Sequence, residues 1–248
     1  MNFAEEIYYR RYLNDIISGI SLDSSIIDPL NIVDTNNSNG LGYKWIQGNK
    51  PPGGAINFPV DTMTASIITS TKPGDGQLCL SWKISGAVNP QTDWRGFALP
   101  LNIYTVCLGQ TQYIQCTNIY TIGTAGQGTI VAGLAVQFYA AAQKVNAYVF
   151  NINSDNHNWL LIRYNDDVAV TLASGGPTAD GDIFRMTSQV FPSQNIITVN
   201  KNNSILTSYT DTSVSRLNYG SPSLWAYGFS GNGSPKHEWR TFSAGIGL

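Results

Sequence analysis

The chain has 248 residues and a net charge of −2, with 12% charged residues against the ~25% of an average globular protein. No cluster of Lys and Arg marks a nucleic-acid face, and no apolar stretch reaches the ~20 residues that span a membrane. Asn, Ser, Thr, Gln and Gly replace the missing charge, and a surface of amides and hydroxyls packs against neighbours without needing counter-ions, which points to assembly.

The first 20 residues predict a helix, with Tyr9, Tyr12, Leu13, Ile16, Ile17 and Ile20 on one stripe and Glu5 and Glu6 in the opening turn. The segment from Ser24 to Ile32 is broken by Pro29. From Thr35 to Pro59, Asn-Gly and Pro-Pro-Gly-Gly punctuation predicts an extended arm or loop carrying Tyr43, Trp45, Ile46, Ile56 and Phe58 as anchors. Strand signals then follow one another. They cover Thr64–Thr71, Gln77–Ser85, Phe97–Leu108, Tyr113–Ile122, Thr129–Phe138 and Val145–Ile152. Trp159–Tyr164 and Val168–Leu172 come next, joined by a tight hairpin turn at Asn165-Asp166-Asp167. Ile183–Phe191, Ile196–Val199, Ile205–Tyr209 and Leu224–Phe229 complete the set, while the Ala-rich Gly133–Gln143 also fits a short helix.

This succession has no βαβ alternation and no constant repeat. It predicts an all-β, antiparallel two-sheet sandwich of jelly-roll type, eight-stranded in its simplest form. Residues 1–59 form the N-terminal helix and extended arm, and residues 60–248 the sandwich domain with a C-terminal tail. Cys79, Cys107 and Cys116 are too few and too irregular for a disulfide framework or a zinc site, so buried free thiols and a reducing compartment are expected.

No catalytic centre stands out, and no enzyme activity or cofactor is expected. His157 and His237 have no His or Cys at metal-ligand spacing, and no Gly-x-Ser-x-Gly elbow accompanies them. Asp166, Asp167, Asp180 and Asp182 are the acidic residues to weigh, either as an acid and base flanking a sugar or, at Asp180-Gly181-Asp182, as a calcium site. Acidic residues in turns ordinarily bond their own backbone, which is the default for all four. Gly123–Gly128 lacks the Lys of a phosphate loop and predicts a hairpin.

Three stretches carry a family likeness. Asn202–Thr207 with Tyr209, then Ser221–Tyr227, resemble the last two strands of jelly-roll capsid proteins from non-enveloped, picorna-like RNA viruses, those of insects among them. Gly231–Phe242 stands where such proteins have an irregular tail, and Asp93-Trp94-Arg95-Gly96-Phe97 resembles their Trp-Arg-Gly stretch. The resemblance implies a structural subunit of an icosahedral shell, assembled in the host cytoplasm with related subunits as partners. It implies a host receptor met through outer loops such as Asn151–Asn158 or Ser174–Asp180, and weak or indirect contact with RNA. The alternative reading is a non-enzymatic carbohydrate-binding β-sandwich, of lectin or pore-forming-toxin type.

Overall fold

A period of two runs through the strands. In Ile183–Val190, Phe184, Met186, Ser188 and Val190 are buried while Ile183, Arg185 and Gln189 face water, the alternation of a sheet with one wet side. The computed structural model describes residues 24–28, 45–50, 63–69, 72–84, 94–100, 111–120, 130–141, 144–153, 156–228 and 237–247. The strands are β1 (Ser24–Asp28), β2 (Trp45–Lys50), β3 (Met63–Thr69), β4 (Leu78–Ile84), β5 (Trp94–Pro100), β6 (Thr111–Tyr120), β7 (Ile130–Ala141) and β8 (Lys144–Ile152). They continue with β9 (Trp159–Asn165), β10 (Val168–Gly175), β11 (Ile183–Val190), β12 (Asn195–Lys201), β13 (Ser204–Asp211), β14 (Ser221–Gly228) and β15 (His237–Gly247).

An eight-stranded sheet runs β13-β12-β11-β6-β15-β4-β3, with β1 also paired to β15, and a seven-stranded sheet runs β10-β9-β8-β7-β14-β5-β2. All pairings are antiparallel. Successive strands stay in one sheet for β3 to β4, β7 to β10 and β11 to β13, and elsewhere they alternate between the two sheets. Between the sheets lies one apolar core that draws Ile114, Phe184, Met186, Ile197 and Val199 from the first and Leu134, Tyr148, Phe150, Leu161 and Leu224 from the second. The predicted two-sheet sandwich is therefore what the chain forms.

One open question is settled and two local expectations are corrected. Of Gly133–Gln143, which also fitted a helix, Gly133–Ala141 is strand: β7 pairs with β8 on one edge and β14 on the other, and Ala132, Leu134, Ala135 and Val136 are buried on both of its faces. Of the irregular tail expected over Gly231–Phe242, the part from His237 on is β15, a central strand paired with β6 along its length, with Trp239 turned into the core, and the part before it lies outside the described residues. Within the expected arm, Trp45–Lys50 is β2 and pairs along β5. At a sheet edge only one side needs hydrogen bonds, so Gly48 and Asn49 are tolerated there. The helix expected over the first 20 residues and the Gly123–Gly128 hairpin lie outside the described residues.

The hairpin at Asn165-Asp166-Asp167 is confirmed in kind. Asp166 and Asp167 have φ of 49° and 70°, the left-handed pair of a type I′ turn whose twist matches the strands. Asn202 and Asn203, at 52° and 66°, make the same turn between β12 and β13. Cys79 and Cys116 are buried free thiols, and burial pushes the Cys116 thiol up.

Candidate functional site

Among the described strands, the outer side of each sheet is closed over some strands and open over others. On the seven-stranded sheet, β8 is buried at every position from Val145 to Ile152. Its outward side chains join a second apolar cluster of Ala135, Phe138, Val145, Ala147, Val149, Ile162, Tyr164 and Trp225. A strand buried on both sides has no face left for a ligand. On the eight-stranded sheet, β15 is likewise buried on both sides at Glu238 and Trp239, but Tyr113, Gln115 and Thr117 of β6 and the residues of β11 and β12 that alternate with the core side chains are half-buried or exposed.

The register turns these residues into rows. Thr187 on β11 lies opposite Tyr113 on β6 and Thr198 on β12, and Thr198 lies opposite Ser208 on β13. In the next row Arg185 lies between Gln115 and Asn200, which in turn faces Ile205, 71% exposed. Flanking rows add Gln189 and Thr117. Thr187 Oγ1 donates to the Thr198 carbonyl at 3.4 Å, and the Thr198 and Ser208 hydroxyls lie 3.2 Å apart. The Arg185 guanidinium stacks on the Tyr113 ring, 4.0 Å from its centroid. The face is thus a lattice of hydroxyls and amides on rigid strands about 4.8 Å apart, with a few apolar side chains among them. Each amide offers both a donor and an acceptor.

The acidic residues weighed from the sequence do not converge. Asp166 and Asp167 turn the end of β9 opposite to the one at Trp159. Asp167 N donates to the Val145 carbonyl and Asp167 Oδ1 accepts from Val145 N, both at 3.0 Å, so the turn is stapled to the start of β8. Asp180 and Asp182 belong to the other end, where Thr178 N donates to the His157 carbonyl at 2.9 Å. The length of β9, about 20 Å, separates the two groups, well beyond the roughly 5–10 Å of a glycosidase pair. Asp180 is paired with Lys72. Asp182 accepts from Ala179 N at 2.6 Å and Asn202 Nδ2 at 2.8 Å, and pairs with Lys201 Nζ at 2.9 Å. Both carboxylates are answered by nitrogen partners rather than by each other. Among the described residues no three His, Cys, Asp or Glu side chains come together.

Sequence reasoning named the loops Asn151–Asn158 and Ser174–Asp180 separately; the fold makes them one surface. His157, with φ of 60°, donates its N–H to the Asn153 carbonyl at 3.0 Å and receives Thr178 on its own carbonyl. Gly181 N donates to the Asn118 carbonyl at 2.8 Å and Asn118 N to the Asp182 carbonyl at 2.9 Å, tying the loop to the end of β6. These hydrogen bonds tie the described parts of both loops to each other and to β6 at this end of the sandwich. His237 opens β15, on the other side of the Asn118 strand end.

A second polar cluster, not foreseen from the sequence, bridges the two sheets. Arg163 of β9, with its side chain 11% exposed, donates to Asp211 Oδ2 of β13, itself 1% exposed, at 2.7 Å, and the Tyr148 hydroxyl of β8 donates to the same oxygen at 2.7 Å. Ser213 N donates to Asp211 Oδ1 at 2.9 Å. Asn195 and Gln137 both donate to the Leu217 carbonyl, and Gln112 Nε2 donates to the Gly220 carbonyl at 3.1 Å, so the loop from β13 to β14 is bound down along its length. Gly220, at φ of 138°, passes so close to the Gln137 main chain that a Cβ has no room.

Burial pushes the Asp182 and Asp211 carboxyls up, but the hydrogen bonds outweigh it: Ala179 N, Lys201 and Asn202 for the one, Ser213, Tyr148 and Arg163 for the other. Both end below the usual carboxylate range. A lowered folded-state pKa contributes stability that is fully present above the unfolded value near ~3.9 and is lost as pH falls through the folded value. The urea midpoint is therefore expected to fall steeply as pH drops below about 4, and Asp182→Asn to flatten part of that dependence. Equal pH profiles for the two proteins contradict the assignment.

No family model and no curated protein matches the sequence. Among solved structures, the chain is similar to a protein of unknown function from Shewanella oneidensis MR-1, at 9% identity and a TM-score of 0.51, over 99% of this chain and 94% of that one. It is also similar to the Emp47p carbohydrate recognition domain, at 15% identity, 91% and 97% coverage and a TM-score of 0.47. The carbohydrate-binding module CBM66 from Bacillus subtilis follows at 11%, 75% and 96% and 0.43. At these identities the likeness is one of fold. The capsid expectation is corrected here: the similar structures include carbohydrate-binding modules and lectin-like domains, not viral capsid proteins, and only the β-sandwich part of that resemblance stands. The residues that carried it have ordinary places in the sheets, Trp94-Arg95-Gly96 inside β5 and Ser221–Tyr227 inside β14. No helix among the described residues is long and apolar enough to cross a membrane.

Proposed function

We propose that this protein is a non-enzymatic carbohydrate-binding sandwich, of jelly-roll type in its broad wiring, that holds a saccharide against the open face of the eight-stranded sheet. The observation that carries this reading is the set of neutral polar side chains that the eight-stranded sheet presents in register across β6, β11 and β12: Tyr113, Gln115, Thr187, Gln189, Thr198 and Asn200, none of them fully buried. A sugar is a polyol with apolar C–H patches, and it is matched by many neutral donor–acceptor groups interspersed with a few hydrocarbon surfaces. Strands hold such groups without the ordering cost that a loop incurs on binding. The dispersal of Asp166, Asp167, Asp180 and Asp182 to opposite ends supports binding without hydrolysis.

The test is retention of the purified protein on immobilised polysaccharides, neutral and acidic, followed by titration calorimetry with soluble fragments. Gln115→Ala with Asn200→Ala is expected to weaken binding about tenfold or more, since each lost hydrogen bond contributes ~0.5–1.5 kcal/mol, while thermal unfolding stays unchanged. Failure of every saccharide to bind, or a double variant that binds like the parent, overturns the reading.

A further inference from the structure

Arg185 is the charged residue at the centre of the open face, and its surroundings are neutral. Its register partners are Gln115 and Asn200, and the row beside it holds Tyr113, Thr187 and Thr198. Among the described residues, ion pairs join Lys72 to Asp180, Arg163 to Asp211, Lys201 to Asp182 and Arg240 to Asp75, and none involves Arg185. The nearest acidic residue along its own strand, Asp182, is held at the strand end by Ala179, Lys201 and Asn202. Arg185 is exposed, and its one described contact is the Tyr113 ring beneath it at 4.0 Å.

That geometry leaves a cation prepared but unanswered. Stacking on the ring restrains the guanidinium, the least predictable part of a long side chain, and keeps its N–H edges free. A guanidinium edge is matched by a planar or tetrahedral oxyanion, which it takes through two parallel hydrogen bonds. Gln115 and Asn200 on either side supply further donors and acceptors for the hydroxyls that flank such a group. In a chain with net charge −2, an isolated positive centre on the open face selects for the opposite sign locally rather than through a long-range field. We infer that the saccharide held on this face is an acidic one, its carboxylate or sulfate bound by Arg185 on its Tyr113 rest. This inference rests on the carbohydrate-binding reading above and names the class of sugar.

The experiment compares four probes on the full chain by affinity electrophoresis and calorimetry: polygalacturonate, its full methyl ester, dextran sulfate and dextran. The acidic member of at least one pair is expected to bind about ten- to a hundredfold more tightly than its neutral counterpart, with the preference shrinking as salt is raised. The carboxylate and sulfate arms tell the two anions apart. Arg185→Gln is expected to remove the preference while leaving the residual neutral binding, and Arg185→Lys to restore only part of it because an ammonium neither forks nor stacks in the same way. Tyr113→Phe, which keeps the ring under the guanidinium, is expected to keep the acidic preference, and Tyr113→Ala, which frees the guanidinium, to lower the ratio of acidic to neutral affinity. If neutral and acidic probes bind equally and Arg185→Gln changes nothing, this inference falls and the carbohydrate reading stands. If none of the broader saccharide panel binds, both fall together.

Discussion

Replacing Asp211 with Ala is expected to lower folding stability by about 3–5 kcal/mol, because it strands Arg163 at the edge of the core with its charge uncompensated. Asp211 Oδ2 takes hydrogen bonds from both Arg163 and the Tyr148 hydroxyl at 2.7 Å, and Oδ1 takes one from Ser213 N, so one substitution removes the acceptor of three donors. Against a typical total of ~5–15 kcal/mol, this is a large share of what keeps such a domain folded. Urea denaturation followed by tryptophan fluorescence checks it: the midpoint should fall with the slope unchanged. The double change Arg163→Met with Asp211→Leu is expected to regain most of the loss, since two apolar groups need no partner. A single variant as stable as the parent contradicts the buried-pair account. If the double variant proves no better than the single, the cost lies in packing rather than in charge.

Phe150→Ala is expected to cost about 3–5 kcal/mol by opening a cavity in the middle of the sandwich. The ring is fully buried, with centroids 5.2 Å from Phe184 across the sheets and 5.9 Å from Trp159 on the next strand. It lies where both sheets are anchored, so neighbours cannot close the gap without moving a strand. Thermal unfolding by circular dichroism reads the effect. Phe150→Leu, which keeps most of the volume, should recover more than half of it. A loss below about 1 kcal/mol in Phe150→Ala would mean that the core can relax around the site.

Much of the strand content was legible because sheet burial repeats every two residues and leaves its mark locally. The segment Val145–Ile152 reads as strand from its Val, Tyr, Phe and Ile alone, and the structure ends it at the same residue. The Asp166-Asp167 turn was legible for a similar reason, since few side chains accept the left-handed region. Where local composition and tertiary pairing disagreed, pairing won. Gly133–Ala141 has a helix-compatible stretch of Ala, yet β8 and β14 pair with it as a strand. The Gly- and Pro-rich ground around Trp45–Lys50 reads as loop, yet β5 had a free edge to fill.

The candidate site was not legible. Arg185 and Tyr113 lie on different strands, and what makes them neighbours is the β11–β6 register. Asp211 and Arg163 meet from opposite sheets, 48 positions apart. His157, Asp180 and Asp182 drew attention as residue types that do chemistry. In the fold their backbone and carboxylates are answered at the sandwich end, while the groups left facing water are Gln, Thr and Asn residues that no motif marks.

By itself, the sequence determined that this protein is built of antiparallel strands with sharp Asp and Asn turns and a low-charge exterior, because those properties depend on residues only a few positions apart. The tertiary structure alone decided which strands became neighbours, which of them were covered on both sides, and which polar side chains stand together where a strand stayed open. Those outcomes depend on contacts between distant segments, and hydrophobic periodicity tells a strand which side to bury but not beside which partner to lie.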